Sequence, residues 1–187
     1  MEQLSRRALV TGAAASALAL AGCGNGIGSP GSRTIDARVD TTLDYLYRNY
    51  PGTAKLRDDA VGILVMPLMT RAGFLTVGGA YGRGALQIRG STVDYYSATR
   101  ASFGPQIGAQ QYAHVLFFMT EQALRTFRTS PGWAAGADLV YVANNEGETL
   151  SAETTTQMAP VIAVVFGQAG LMVGATLEGT KYTRIIP

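Results

Sequence analysis

ALQIRGSTVDYYSAT, residues Ala85–Thr99, decides the fold class. Leu86 and Ile88 alternate with Gln87 and Arg89, Gly90-Ser91 makes a turn, and Val93–Thr99 follows as a second extended run. So short a connection requires the two runs to pair antiparallel as a hairpin. Working outward, further short apolar runs bounded by Gly and turn residues predict strands at Val61–Met66, Phe74–Val77, Val115–Met119 and Leu139–Ala143. Val161–Phe166, Leu171–Ala175 and Lys181–Ile185 complete the set, with residues 167–170 joining two of them. Helical periodicity occurs at Ile35–Arg48, where Ile35, Val39, Leu43, Leu46 and Tyr47 share a stripe, Thr34 is a candidate cap and Pro51-Gly52 ends the helix. It occurs again at Glu121–Thr129, with Thr120 as cap and Leu124 and Phe127 facing inward. Thr53–Asp59 adds a short helical turn presenting Lys55 and Arg57. The expected fold is α+β: a curved antiparallel β-sheet or partial barrel packed with a few helices.

The amino terminus carries a different message. Arg6-Arg7, an apolar run from Ala8 to Ala21 and the tetrapeptide Leu20-Ala21-Gly22-Cys23 form an export signal ending in the bacterial lipoprotein pattern. The run is too short for a permanent membrane span. Cys23 is the only cysteine, has no disulfide partner in the chain, and is expected to carry diacylglyceryl and N-acyl groups. No other cofactor is expected. Ser5-Arg6-Arg7-Ala8-Leu9-Val10 resembles a twin-arginine signal, with general secretion as the alternative route. Residues 1–22 therefore read as a lipoprotein signal peptide, and the Gly, Ser and Pro of residues 23–33 as a lipidated flexible tether. Gly24 after the cysteine favours the periplasmic face of the outer membrane over the inner membrane.

Composition and motifs exclude several functions. Net charge is +2, and falls to +1 once Glu2, Arg6 and Arg7 are removed, which gives no support to nucleic-acid binding. Gly78–Gly84 is glycine-rich but is followed by an alternating strand rather than a helix, so it reads as a bulged strand or a close backbone approach and not as a phosphate loop. Catalytic groups are scarce. His114, the only histidine, lies in an apolar strand and reads as a packed residue. Ser97, Ser102 or Ser151 would have to serve as its nucleophile, and no nucleophile elbow is present. Glu146 and Glu148, and Asp58 and Asp59, read as exposed turn acids, and metal-ligand spacings are missing. The chain is not expected to be an enzyme.

Several blocks in one order resemble the SYLF domain family. They are Gly62–Pro67, Arg71–Phe74, Gly78–Leu86, Tyr95-Tyr96-Ser97, Ser102–Gln110, Leu116–Met119, Gly170–Ala175, Gly179-Thr180-Lys181 and Thr183-Arg184-Ile185. The resemblance covers residues 35–185 and implies that residues 34–187 form a lipid-binding domain. Eukaryotic members of that family bind phosphoinositides and some bind actin, whereas bacterial members are often exported lipoproteins. The basic amphipathic N-terminal helix of the eukaryotic members is replaced here by a face bearing Asp36, Asp40 and Asp44. Membrane lipids other than phosphoinositides are therefore the expected ligand, actin is not an expected partner, and a non-catalytic adaptor binding an envelope protein is the alternative. For lipid headgroups the candidate residues are Lys55, Arg57, Arg71 and Arg83, cations in or beside loops. For acyl chains they are Tyr81, Tyr95, Tyr96 and Phe103.

Overall fold

A computed structural model describes residues 26–103, 108–136, 139–142, 159–167, 170–172 and 177–187. Cys23 and the leader lie outside the described residues. Helices α1 (Pro30–Asn49) and α2 (Gly52–Asp59) precede four long strands, β1 (Gly62–Phe74), β2 (Val77–Ile88), β3 (Ser91–Phe103) and β4 (Gly108–Phe118). Helix α3 (Glu121–Thr129) follows, then β5 (Trp133–Ala134), β6 (Leu139–Val142), β7 (Val161–Gly167), β8 (Gly170–Leu171) and β9 (Lys181–Ile185). The strands form one curled sheet in the order β5-β9-β3-β2-β1-β4-β7-β6, with β8 paired to β7, so the fold is α+β as expected.

One pairing departs from the expected antiparallel sheet: β6 and β7 run parallel. Residues 143–160, which separate them, provide the long connection that parallel pairing needs. The expected strand at Phe74–Val77 is instead the turn of the β1–β2 hairpin, where Phe74 pairs with Val77 and Leu75 takes a φ of 57°. The β2–β3 turn has positive φ at both central residues, Arg89 (50°) and Gly90 (74°), the primed geometry that matches strand twist. Of the expected strands, residues 143 and 173–175 lie outside the described residues.

Both faces of the sheet are covered, which explains why its central strands read as continuous apolar runs and not as alternating ones. On one face α1 buries Ile35, Val39, Leu43 and Leu46 against Val65, Tyr95, Val115 and Phe117. On the other, α3 buries Leu124 and Phe127 against Leu64, Tyr96, Phe118 and Tyr182. Asp36 turns inward and accepts from Tyr95 Oη at 2.7 Å and Thr92 Oγ1 at 3.1 Å. Its carboxylate is thus occupied in holding the helix to β3.

Helix α1 starts at Pro30, before the expected cap at Thr34. Ser29 is the N-cap, its hydroxyl oxygen accepting from the Ser32 amide at 3.0 Å, and Pro30 supplies the preset φ of a first helical position. The same hydroxyl donates to the Pro187 carbonyl at 3.1 Å, and the Gly26 amide reaches that carbonyl at 3.1 Å. Residues 26–33, the second part of the expected tether, therefore join the body and bring the two ends of the domain together.

Pro67 explains the central irregularity. A proline cannot donate to the ladder and is tolerated in a sheet at bulges, and the register of β1 shifts between Val65 and Leu68 against β2 and between Met66 and Met69 against β4. The distortion drives β1 backbone against β2. A Cβ on Gly84 would overlap the Val65 carbonyl oxygen and come within 2.6 Å of Met66 Sδ. The glycines of β2 thus allow a close backbone approach, in agreement with the sequence reading.

Candidate lipid-contact site

The eight candidate contact residues separate into four places. Lys55 and Arg57 stand on α2, where the short helix allows i,i+4 and neighbour pairing: Lys55 Nζ lies 3.6 Å from Asp59 and Arg57 lies 2.8 Å from Asp58. The Arg57 guanidinium also sits 5.0 Å from the centroid of the Tyr47 ring. That hydrogen bond raises the Arg57 pKa and lowers that of Asp58, while burial pushes the Tyr47 hydroxyl up to about 12. Arg57 borders a cleft of about 930 Å³ between α1, α2, α3 and the β2–β3 turn. Its charges are mixed: Arg89 and Arg125 face Asp59 and Glu121, and Arg128 and Arg184 share Asp94 at 3.0 and 2.9 Å.

Tyr95 and Tyr96 point into the two cores on opposite faces of the sheet. Tyr96 stacks 4.7 Å from Phe127, and burial is the main cause raising both hydroxyl pKa values.

Arg71, Tyr81 and Phe103 lie toward the end of the sheet farthest from Gly90, whereas Arg83 stands mid-strand on β2 opposite Leu68 and Ser97, six residues or about 20 Å behind Val77. Cross-strand partners share a face, and the register assigns each side chain. Phe74, Val77 and Phe103 form one row on the α1 face. Behind it on that face come Ala72, Gly79 and Ala101, then Thr70, Tyr81 and Thr99, then Arg83. The α3 face carries Arg71, Ala80 and Arg100 in one row. Burial raises the Tyr112 pKa, and the charges of Arg100 and Arg71 oppose that rise. The apolar residues here are open: Phe74 is 72% exposed, Leu75 59%, Val77 60% and Phe103 83%. Phe74, Leu75, Val77 and Arg100 were missed as site residues by the sequence reading. The only signal that could have found them was the run of sequence around them, which lacks Asp and Glu.

His114 is fully buried, with Nε2 2.8 Å from the Tyr182 hydroxyl, and burial pushes its pKa down to about 3. The ring is neutral near pH 7, and its hydrogen-bond partner is a tyrosine and not a serine. Ser97 donates to the Thr183 carbonyl at 3.4 Å, and Ser151 lies outside the described residues. Among the described residues there is no group of three or more His, Cys, Asp or Glu side chains able to hold a metal, and no helix long and apolar enough to cross a membrane.

Residues 99–184, from the end of β3 into β9, match the family model described as Ysc84, Las17-binding protein actin regulator. Over this stretch the chain is similar to that family, the one the sequence blocks resemble. None of the curated proteins compared with the chain matches it. The blocks at Gly62–Pro67 and Gly78–Leu86 precede the matched stretch, yet β1 and β2 are hydrogen-bonded between β3 and β4, so they belong to the same sheet.

Proposed function

We propose that the chain is an exported cell-envelope protein, anchored through acyl groups on Cys23, whose SYLF-type domain binds anionic membrane phospholipid at the outer end of its four long strands. One observation carries this reading. From Val61 to Thr120 the only acidic residue is Asp94, which is held by Arg128 and Arg184 at the other end of the sheet, so the four long strands themselves bring the cations Arg71 and Arg100 toward the hairpin end, with Arg83 farther back on β2. Such a row of cations attracts phosphate headgroups, and the attraction weakens with salt. Lys55 and Arg57, already paired with Asp59 and Asp58, contribute little to it.

The test is co-sedimentation of the chain from Gly24 onward, free of acyl groups, with phosphatidylglycerol and with phosphatidylcholine vesicles. Binding is expected to the anionic vesicles alone, to fall as salt rises, and to be lost with Arg71→Glu, Arg83→Glu and Arg100→Glu combined. Sedimentation unchanged by charge reversal would overturn the assignment. A chain that ignores vesicles and cross-links to one envelope protein would be an adaptor instead.

A further inference from the structure

We infer that the row Phe74, Val77 and Phe103, with Leu75 at the turn, is a membrane-penetrating wedge that enters the acyl region of an anionic bilayer. The inference rests on the lipid reading above and goes beyond it, because headgroup attraction alone needs no apolar contact. Large apolar side chains exposed singly require no explanation, but here four stand together at the tips of adjacent strands. They do so where the sheet has run past the helices that cover its centre.

Spacing argues for a bilayer as the occupant. Strands advance about 3.3 Å per residue, so Arg71 and Arg100, three residues behind Phe74 and Phe103, lie about 10 Å back from the tip. Apolar groups of interfacial proteins sink roughly 5–10 Å below the headgroups, and arginine stems extend along apolar surface to keep their charge in the phosphate layer. With the tip at that depth, Arg71 and Arg100 meet the phosphates. Tyr81, exposed and four residues behind Val77 on the same face, reaches the interfacial level that aromatic rings with a polar edge favour. Gly73, Gly78 and Ser102 form the row of the other face nearest the tip, and their small side chains keep the wedge thin there.

The anchor is a separate contact. Gly26 is bonded to Pro187, just beyond Ile185, which pairs with Tyr95; Phe103 is eight residues farther along β3, about 26 Å away. The three residues from Cys23 to Gly26 span at most about 10 Å, so the tip enters a bilayer other than the one that takes the acyl groups, and its insertion is read on the acyl-free chain.

The experiment uses the chain from Gly24 onward, free of acyl groups and carrying Phe103→Trp, mixed with vesicles of phosphatidylglycerol brominated in mid-chain, with the unsubstituted chain giving the background of Trp133. Emission from position 103 is expected to fall at least twofold relative to unbrominated vesicles, and the loss to disappear when Phe74→Ser and Val77→Ser are added. Unquenched emission from chains that float with the vesicles overturns the wedge. Emission already shielded from iodide before any vesicle is added also overturns it, since a second copy then covers the row. Vesicle binding by the acyl-free chain is scored independently, so loss of the wedge and loss of the lipid reading are told apart.

Discussion

His114 allows a stability measurement whose sign and size follow from one side chain. In the unfolded chain a histidine titrates near pH 6.5, whereas burial holds His114 near 3 in the fold. Between these values the unfolded state binds the proton and the native state does not, so stability is full above about pH 6.5 and is lost as pH falls toward 3. The slope approaches about 1.4 kcal/mol per pH unit, which amounts to about 2 kcal/mol between pH 7 and 5. For a domain of this size that lowers the midpoint of thermal unfolding by about 4–8 °C. His114 is the only histidine, and among the described residues the one carboxylate with a resolved shift, Asp58, is moved downward and titrates below this window. Calorimetric or circular-dichroism melts at pH 7 and pH 5 would measure the drop. His114→Leu is expected to be less stable at pH 7, because the bond between Nε2 and the Tyr182 hydroxyl is lost, and to show no further loss at pH 5. A native chain whose midpoint stays level over this range, or a leucine variant that keeps the drop, refutes the assignment of a neutral, desolvated imidazole.

Two further perturbations test the packing. Gly84→Ala forces a Cβ into the Val65 carbonyl and should cost about 3 kcal/mol in urea unfolding, and a loss below about 1 kcal/mol would mean that the bulge at Pro67 yields easily. Ser29→Ala removes both the cap to Ser32 and the bond to Pro187, with an expected loss of about 1–2 kcal/mol and faster hydrogen exchange at the first amides of α1; unchanged exchange there would mean that the start of the helix is held by other contacts.

What could be read in the chain was local. Helix α3 has its signals within nine residues: Thr120 caps it and Leu124 and Phe127 lie on one side. The β2–β3 hairpin likewise declares itself through alternation and Gly90. The β1–β2 turn does not, because Leu75-Thr76 lacks the Gly, Asn or Asp that a positive φ favours, and an apolar turn is indistinguishable from a strand by composition. Ser29-Pro30 is a standard helix start, but the surrounding glycines give residues 24–33 the composition of a tether. The site shows the same limit at longer range. Arg71 and Arg100 are brought behind Phe74 and Phe103 by strand register, while Lys55 and Arg57 belong to a helix beside the opposite end of β2. No local pattern separates those two pairs.

The geometry of the hairpin end follows from how its strands are supported. Up to Met69, Ala80 and Ala98 the sheet is sandwiched between helices and closing strands, and there the alternate residues are buried on both faces. Beyond that line Thr70 to Phe74, Val77 and Thr99 are backed by no described helix and are held in the sheet by strand pairing. A paired ribbon of this kind gains nothing from large apolar side chains left in water; Ser or Thr would serve the fold as well and lower the risk of association. Leu75 also bears the cost of a left-handed backbone, roughly 1–2 kcal/mol, without returning any burial. Phe74, Leu75, Val77 and Phe103 are therefore not accounted for by folding energetics. Removing water from them would return that energy, which is what the wedge proposed above supplies, with Arg71 and Arg100 about 10 Å behind the tip at the level of the headgroups.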